Sequence, residues 1–97
     1  MINFAPKIYF GMETRLEIIM MEEAKKFVLG LPKSAMKKVF YNIHRIAEGE
    51  QNADLFKKLE GCDIWEFRTL YNGLHYRLFA FWDTRFNTLV IATHGIV

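Results

Sequence analysis

The sequence predicts an α+β fold: a small antiparallel sheet of about four strands with a two-helix hairpin packed on one face. Three observations carry this. Ile64 to Phe81 places aromatic and branched residues on both sides of Asn72-Gly73, the strongest short-range signal of a β-hairpin, because both turn residues must take positive φ. Residues 21 to 47 repeat apolar side chains at spacings of three and four, interrupted once at Gly30 to Pro32, which is the pattern of two amphipathic helices. Thr88 to His94 is β-branched and follows a polar turn, so a third strand returns beside the hairpin. A helix pair with one apolar face needs a sheet to cover it, and these strands supply one.

Taken in order, Ile2 to Phe10 reads as a strand weakened by Pro6, one that suits an edge or begins after the proline at Lys7. Gly11 to Arg15 reads as a turn. Leu16 to Met20 is apolar enough for either a strand or a helix lead-in, and pattern alone does not decide between them. From Met21 the residues Met21, Ala24, Phe27, Val28 and Leu31 share a helical face, with Glu22 and Glu23 in the first turn, where they favour the helix dipole. The next helix starts near Pro32 to Ser34 and carries Met36, Val39, Phe40, Ile43, Ile46 and Ala47 on one side until Gly49 stops it. Glu50 to Asp54 is loop-like, and Leu55 to Gly61 leads into the hairpin. After Phe81 and Trp82, Asp83 to Asn87 makes a longer turn.

Composition bounds the function. The 97 residues make a single domain, 1–97, and the 52% apolar content marks it as globular and not disordered. No apolar run approaches a membrane span and no charged-then-apolar leader opens the chain, so the reading is of a cytoplasmic protein. The lone Cys62 agrees with a reducing compartment. A net charge of +2 is too mild to announce nucleic acid, so any RNA site would be a local cluster. His44, His75 and His94 stand far apart and do not cluster with one another or with Cys62, and no metal centre is expected. There is no Gly-rich phosphate loop.

The hairpin itself suggests chemistry. A two-residue turn pairs Tyr71 with Leu74, Thr69 with Tyr76, Arg68 with Arg77, Phe67 with Leu78 and Trp65 with Ala80. Trp65, Phe67, Thr69, Tyr76, Leu78 and Ala80 then form the core face, and Glu66, Arg68, Leu70, His75, Arg77 and Phe79 the other. Directly opposed arginines repel by a few tenths to about 1 kcal/mol unless an anion sits beside them. Glu66, diagonal to Arg77, neutralises part of that charge. The arrangement reads either as a solvated polar face with one salt bridge or as a phosphate-sized anion site on a rigid scaffold.

The order K-K-L-E-G, I-W-E-F-R, N-G-L-H-Y-R-L-F-A-F, then L-V-I-A-T-H-G-I-V resembles the RelE/HigB-like toxins of bacterial toxin–antitoxin modules, in particular their phage-derived host-killing branch. The resemblance covers about residues 7 to 97. It implies a metal-independent, ribosome-dependent endoribonuclease that cuts mRNA, needs no cofactor, and is silenced by a cognate antitoxin of helix-turn-helix type. It further implies that Arg77 contacts the scissile phosphate and that Arg68 assists it, with His94, in the His-Gly closing the last strand, a candidate acid or base alongside His75 and Glu66. Lys57 and Lys58 match residues that hold RNA backbone, with His75 and Glu66 beside them. Two departures stand out. Glu66 occupies a position that is basic in RelE itself, although the phage-derived branch often carries Glu there. The family also continues past His-Gly with lysines and a helical tail, whereas this sequence stops at Val97. The second reading is therefore a non-catalytic module that binds antitoxin or ribosome.

Overall fold

The computed structural model describes residues 16–97 and, before them, the backbone of 2–4, 8–9 and 12–13. The strands are β1 (Ile2–Phe4), β2 (Ile8–Tyr9), β3 (Met12–Glu13), β4 (Glu17–Met20), β5 (Phe56–Lys58), β6 (Trp65–Tyr71), β7 (Leu74–Asp83) and β8 (Thr88–His94), and the helices are α1 (Glu22–Leu29) and α2 (Lys33–Ala47). The expected interruption at Pro6 and restart at Lys7 lie outside the described residues. Of the turn expected over residues 11–15, Met12 and Glu13 instead form β3, paired with β2 as a separate two-stranded ribbon; the other three positions lie outside the described residues.

The α+β class is as the sequence predicts, but the main sheet has six strands in the order β1-β4-β8-β7-β6-β5. All neighbours are antiparallel except β4 and β8, which run parallel. Leu16 to Met20 resolves to strand for a packing reason. Ile18 and Met20 are fully buried while Glu17 is exposed and Ile19 half-buried, a period of two that no helix satisfies. The Met21 N–H then donates to the Ile91 carbonyl at 2.8 Å, so α1 leaves directly from the end of β4.

Asn72 and Gly73 take φ of 53° and 76°, and the register of β6 on β7 is the one the turn dictates, from Tyr71–Leu74 to Trp65–Ala80. Both helices cover the face that carries Phe67, Tyr76, Leu78, Ala80, Leu89 and Ile91, meeting it with Ala24, Val28, Val39, Ile43 and Ile46. Each of the larger aliphatic side chains removed from water here contributes roughly 1.5–3 kcal/mol. Exposed ion pairs close the periphery. The Arg45 guanidinium donates to Glu50, with Nε at 2.9 Å, and holds that carboxyl below its usual range with help from Asn52. Arg85 does the same for Asp83 in the β7–β8 turn. Among the described residues no helix is long and apolar enough to cross a membrane.

One buried polar link ties helix to sheet. The Asn42 amide, 3% exposed, donates to Thr69 Oγ1 at 3.2 Å, joining α2 to β6. Thr69→Val should lower stability by on the order of 1–3 kcal/mol, the penalty of a buried donor left unpaired. Urea denaturation of Thr69→Val and of Asn42→Leu/Thr69→Val checks this, since removing both polar partners should recover most of the loss.

Candidate anion site on the open sheet face

The face turned away from the helices carries the charged half of the hairpin. Alternation along β6 and β7 leaves Glu66, Arg68 and Arg77 there together. The Glu66 carboxylate, only 7% exposed, lies between the two arginines: Oε1 is 3.3 Å from Arg68 Nε and Oε2 is 3.8 Å from Arg77 Nε. The guanidiniums are about one-third exposed. The repulsion of the opposed pair is thus offset by a carboxylate shared between them, while the arginines remain open to an anion arriving from solvent.

Two further sequence-selected residues join this face. Lys57 of β5 pairs directly with Glu66 across the β5–β6 ladder, so its side chain leaves on the arginine side. His75 pairs with Leu70, and both line a cavity of about 280 Å³ with Arg68 and Asp54. Asp54 was not singled out in the sequence. It reaches the site because Arg68 N–H donates to the Leu55 carbonyl at 2.8 Å and fastens the loop to β6.

Lys58 and His94 lie elsewhere. Lys58 pairs with Trp65 in the ladder and its ammonium meets Asp63 at 3.3 Å. In β8 an extra residue interrupts the pairing. Ala80 faces Ile91 but Phe79 faces Thr93, a bulge at Ala92 that puts His94 opposite Leu78 on the helix side. There the imidazole stacks on Phe27 of α1, with centroids 4.0 Å apart and planes 6° from parallel. Next to it Gly95 crosses to the arginine side, its N–H donating to the Arg77 carbonyl at 3.0 Å. A Cβ at Gly95 would stand 3.2 Å from the Phe79 ring and 3.4 Å from Arg77 Cβ, so only glycine leaves that surface uncovered.

Residues 26–97 match the family model described as phage-derived protein Gp49-like (DUF891). The chain belongs to the Gp49-like family. No curated protein matches it. The matched span runs from within α1 to the end of the chain and holds every residue placed on the anion face. Among the described residues of this Gp49-like protein, no three His, Cys, Asp or Glu side chains gather in a way that could hold a metal ion.

Glu66 sets the balance of the site, and its removal should separate two effects. Glu66→Gln leaves the arginines opposed without their counter-charge, lowering stability by up to about 1 kcal/mol. The same change removes a negative charge from a phosphate's path, so added inorganic phosphate should raise the melting temperature of Glu66→Gln more than that of the parent. Thermal melts with and without phosphate at constant ionic strength check both. An equal response would mean that phosphate does not bind between the arginines.

Proposed function

We propose that this Gp49-like protein is the toxin of a toxin–antitoxin module, an endoribonuclease that cleaves mRNA on the ribosome by transfer of a phosphate to its own 2′-OH. The observation that carries the reading is the arginine pair opposed across a rigid hairpin around one shared carboxylate. Family membership and the resemblance to RelE/HigB-like toxins support it. A cognate antitoxin of helix-turn-helix type would cover the protein until release.

The chemistry divides among the residues of the open face. Arg68 and Arg77 hold the non-bridging oxygens of the scissile phosphate, where bidentate guanidinium geometry matches developing negative charge. Glu66, between them, takes the proton of the 2′-OH. The 2′-oxygen then bonds to phosphorus while the bond to the 5′-oxygen breaks, leaving a 2′,3′-cyclic phosphate and a 5′-hydroxyl. His75, beside Arg68, delivers a proton to the departing 5′-oxygen. Lys57 holds the backbone next to the cleaved link. His94, stacked on Phe27 across the sheet, anchors the end of β8 so that Gly95 stays against Arg77. No step in this scheme requires a metal bound by the protein.

Expression without a partner should stop growth and leave cleaved transcripts only where they are being translated. Glu66→Gln should reduce cleavage roughly 10²- to 10⁴-fold, the usual contribution of positioned proton transfer, and Arg77→Ala about 10²- to 10³-fold. His94→Ala should act mainly through stability. Primer extension on total RNA, with each variant folded by circular dichroism, measures this. Growth arrest with intact transcripts would refute the nuclease reading, and normal growth would favour a module that binds antitoxin or ribosome and cuts nothing. In a reconstituted ribosome assay, cleavage should survive a transition-metal chelator when ribosomal magnesium is held constant.

A further inference from the structure

On the side of the molecule away from the arginines, the outer surface of α2 is basic. Lys33, Ser34, Lys37 and Tyr41 are exposed there, with Lys38 and Arg45 half-buried beside them. They occupy the arc opposite Ala35, Val39, Asn42, Ile43 and Ile46, which enter the core. Toward the end of the helix the charge is balanced, since Arg45 pairs with Glu50 and His44 meets Glu48. Lys33, Lys37 and Lys38 have no such relief. Among the described residues no carboxylate stands within ion-pair distance of any of the three.

This concentration of charge runs against what a helix prefers. Glu22 and Glu23 open α1, whereas α2 starts on Lys33 and has no acidic residue in its first turn. A lysine at the positive end of the helix dipole is unfavourable, and Lys33 and Lys37, one turn apart, repel each other. Neither residue serves the core. Local rules are broken in this way where a surface is selected for binding, and an anion set against the three ammoniums removes both penalties.

The chemistry of the face narrows the choice of anion. It presents no aliphatic side chain around which a protein interface could build an apolar core. The Tyr41 ring, 58% exposed, is already faced by the Arg45 guanidinium at 5.6 Å from its centroid, so it is not a free platform for an unpaired base. What remains are three ammoniums and the hydroxyls of Ser34 and Tyr41, the kinds of donor that contact phosphate oxygens. They are fixed along about 18 Å of one helix. A rigid row of donors matches the regular phosphates of a duplex better than a splayed single strand, which is held by stacking.

We propose that the outer face of α2 is a docking surface for the phosphate backbone of double-helical RNA, carried by Lys33, Lys37 and Lys38; the choice of RNA among polyanions rests on the nuclease reading above. The surface and the arginine pair lie on opposite sides of the sheet. A message at Arg68 and Arg77 and a duplex at α2 are therefore held together without competing.

Fluorescence anisotropy with a short labelled RNA duplex, 2′-O-methylated so that it cannot be cleaved, tests the surface over a range of salt concentrations. The parent should bind saturably, with an affinity that falls linearly in log salt. Lys33→Gln/Lys37→Gln/Lys38→Gln should lower that slope by roughly 2 to 3, one counterion for each lost phosphate contact, and weaken binding on the order of tenfold or more at low salt. The same triple variant should melt at a higher temperature than the parent, which also shows that it is folded. Replacing the three lysines by arginine should keep both affinity and slope, and Arg77→Ala should change duplex binding little. Duplex binding lost on Arg77→Ala but indifferent to the lysines would overturn the surface and keep the arginine site. Duplex binding that depends on the lysines, in a protein that leaves transcripts intact, would keep the surface and refute the nuclease reading. Absence of saturable duplex binding would overturn the proposal. A glutamate-rich peptide of matched charge that binds the lysines more tightly than the duplex would assign the face to an acidic protein and overturn it as well.

Discussion

The register of β6 on β7 is the constraint on which the rest of the molecule depends. It is set by two residues: Asn72 and Gly73, both at positive φ, close the loop so tightly that Tyr71 must face Leu74. Because side chains alternate with a period of two, a slip of one residue would exchange the two faces of the hairpin. Glu66, Arg68 and Arg77 would then enter the core, at several kcal/mol for each desolvated ion, while Phe67 and Leu78 would lose about 1.5–3 kcal/mol each in burial. The magnitudes act in one direction, so the register is strongly fixed. The clustering of Glu66, Arg68 and Arg77 is a consequence of that preference: its precision comes from the pattern that makes the core on the other side of the same strands.

At the other end of the site a break in regularity is used. Strict alternation through Leu89 and Ile91 would send Thr93 toward the helices and His94 toward the arginines. The bulge at Ala92 instead puts His94 opposite Leu78. Thr93, paired with Phe79, donates its hydroxyl to Glu23 of α1 at 2.7 Å, and His94 turns to stack on Phe27. Two contacts with α1 thereby hold the last turn of chain, and Gly95 comes to rest against Arg77 and Phe79 without a side chain to obstruct them. The His-Gly pair has two jobs on two faces of one sheet, an anchor and a gap.

These differences explain what could be read from the sequence and what could not. The hairpin, its register and the division of its faces were legible because the turn chemistry and the alternation are local. The helices were legible for the same reason. The parallel pairing of β4 with β8 was not, since it joins segments about seventy residues apart and β4 is too short for its period to stand out. The three-residue β5 was likewise hidden, and with it the fact that Lys57 and Lys58, adjacent in sequence, serve opposite faces. The position of His94 was the hardest to foresee, because a bulge leaves no mark in an isolated β-branched run.

The shared carboxylate has one more consequence for the proposed reaction. In the resting protein Glu66 holds the arginines in place, so the donors need little reorganisation when substrate arrives, which is the condition under which electrostatic stabilisation is most effective. The same charge opposes binding of a phosphate in the ground state. As the 2′-OH proton moves to Glu66, that carboxylate is neutralised while negative charge accumulates on the phosphoryl oxygens. Repulsion therefore falls, and the arginines are released to the phosphate, at the stage when their charge is most useful. An interaction weak toward the substrate and strong toward the transition state raises turnover and not merely affinity. In the proposed reaction the acidic residue at position 66 would therefore be no defect in a basic site; it would be the element that makes the site's charge change as the phosphate is transferred.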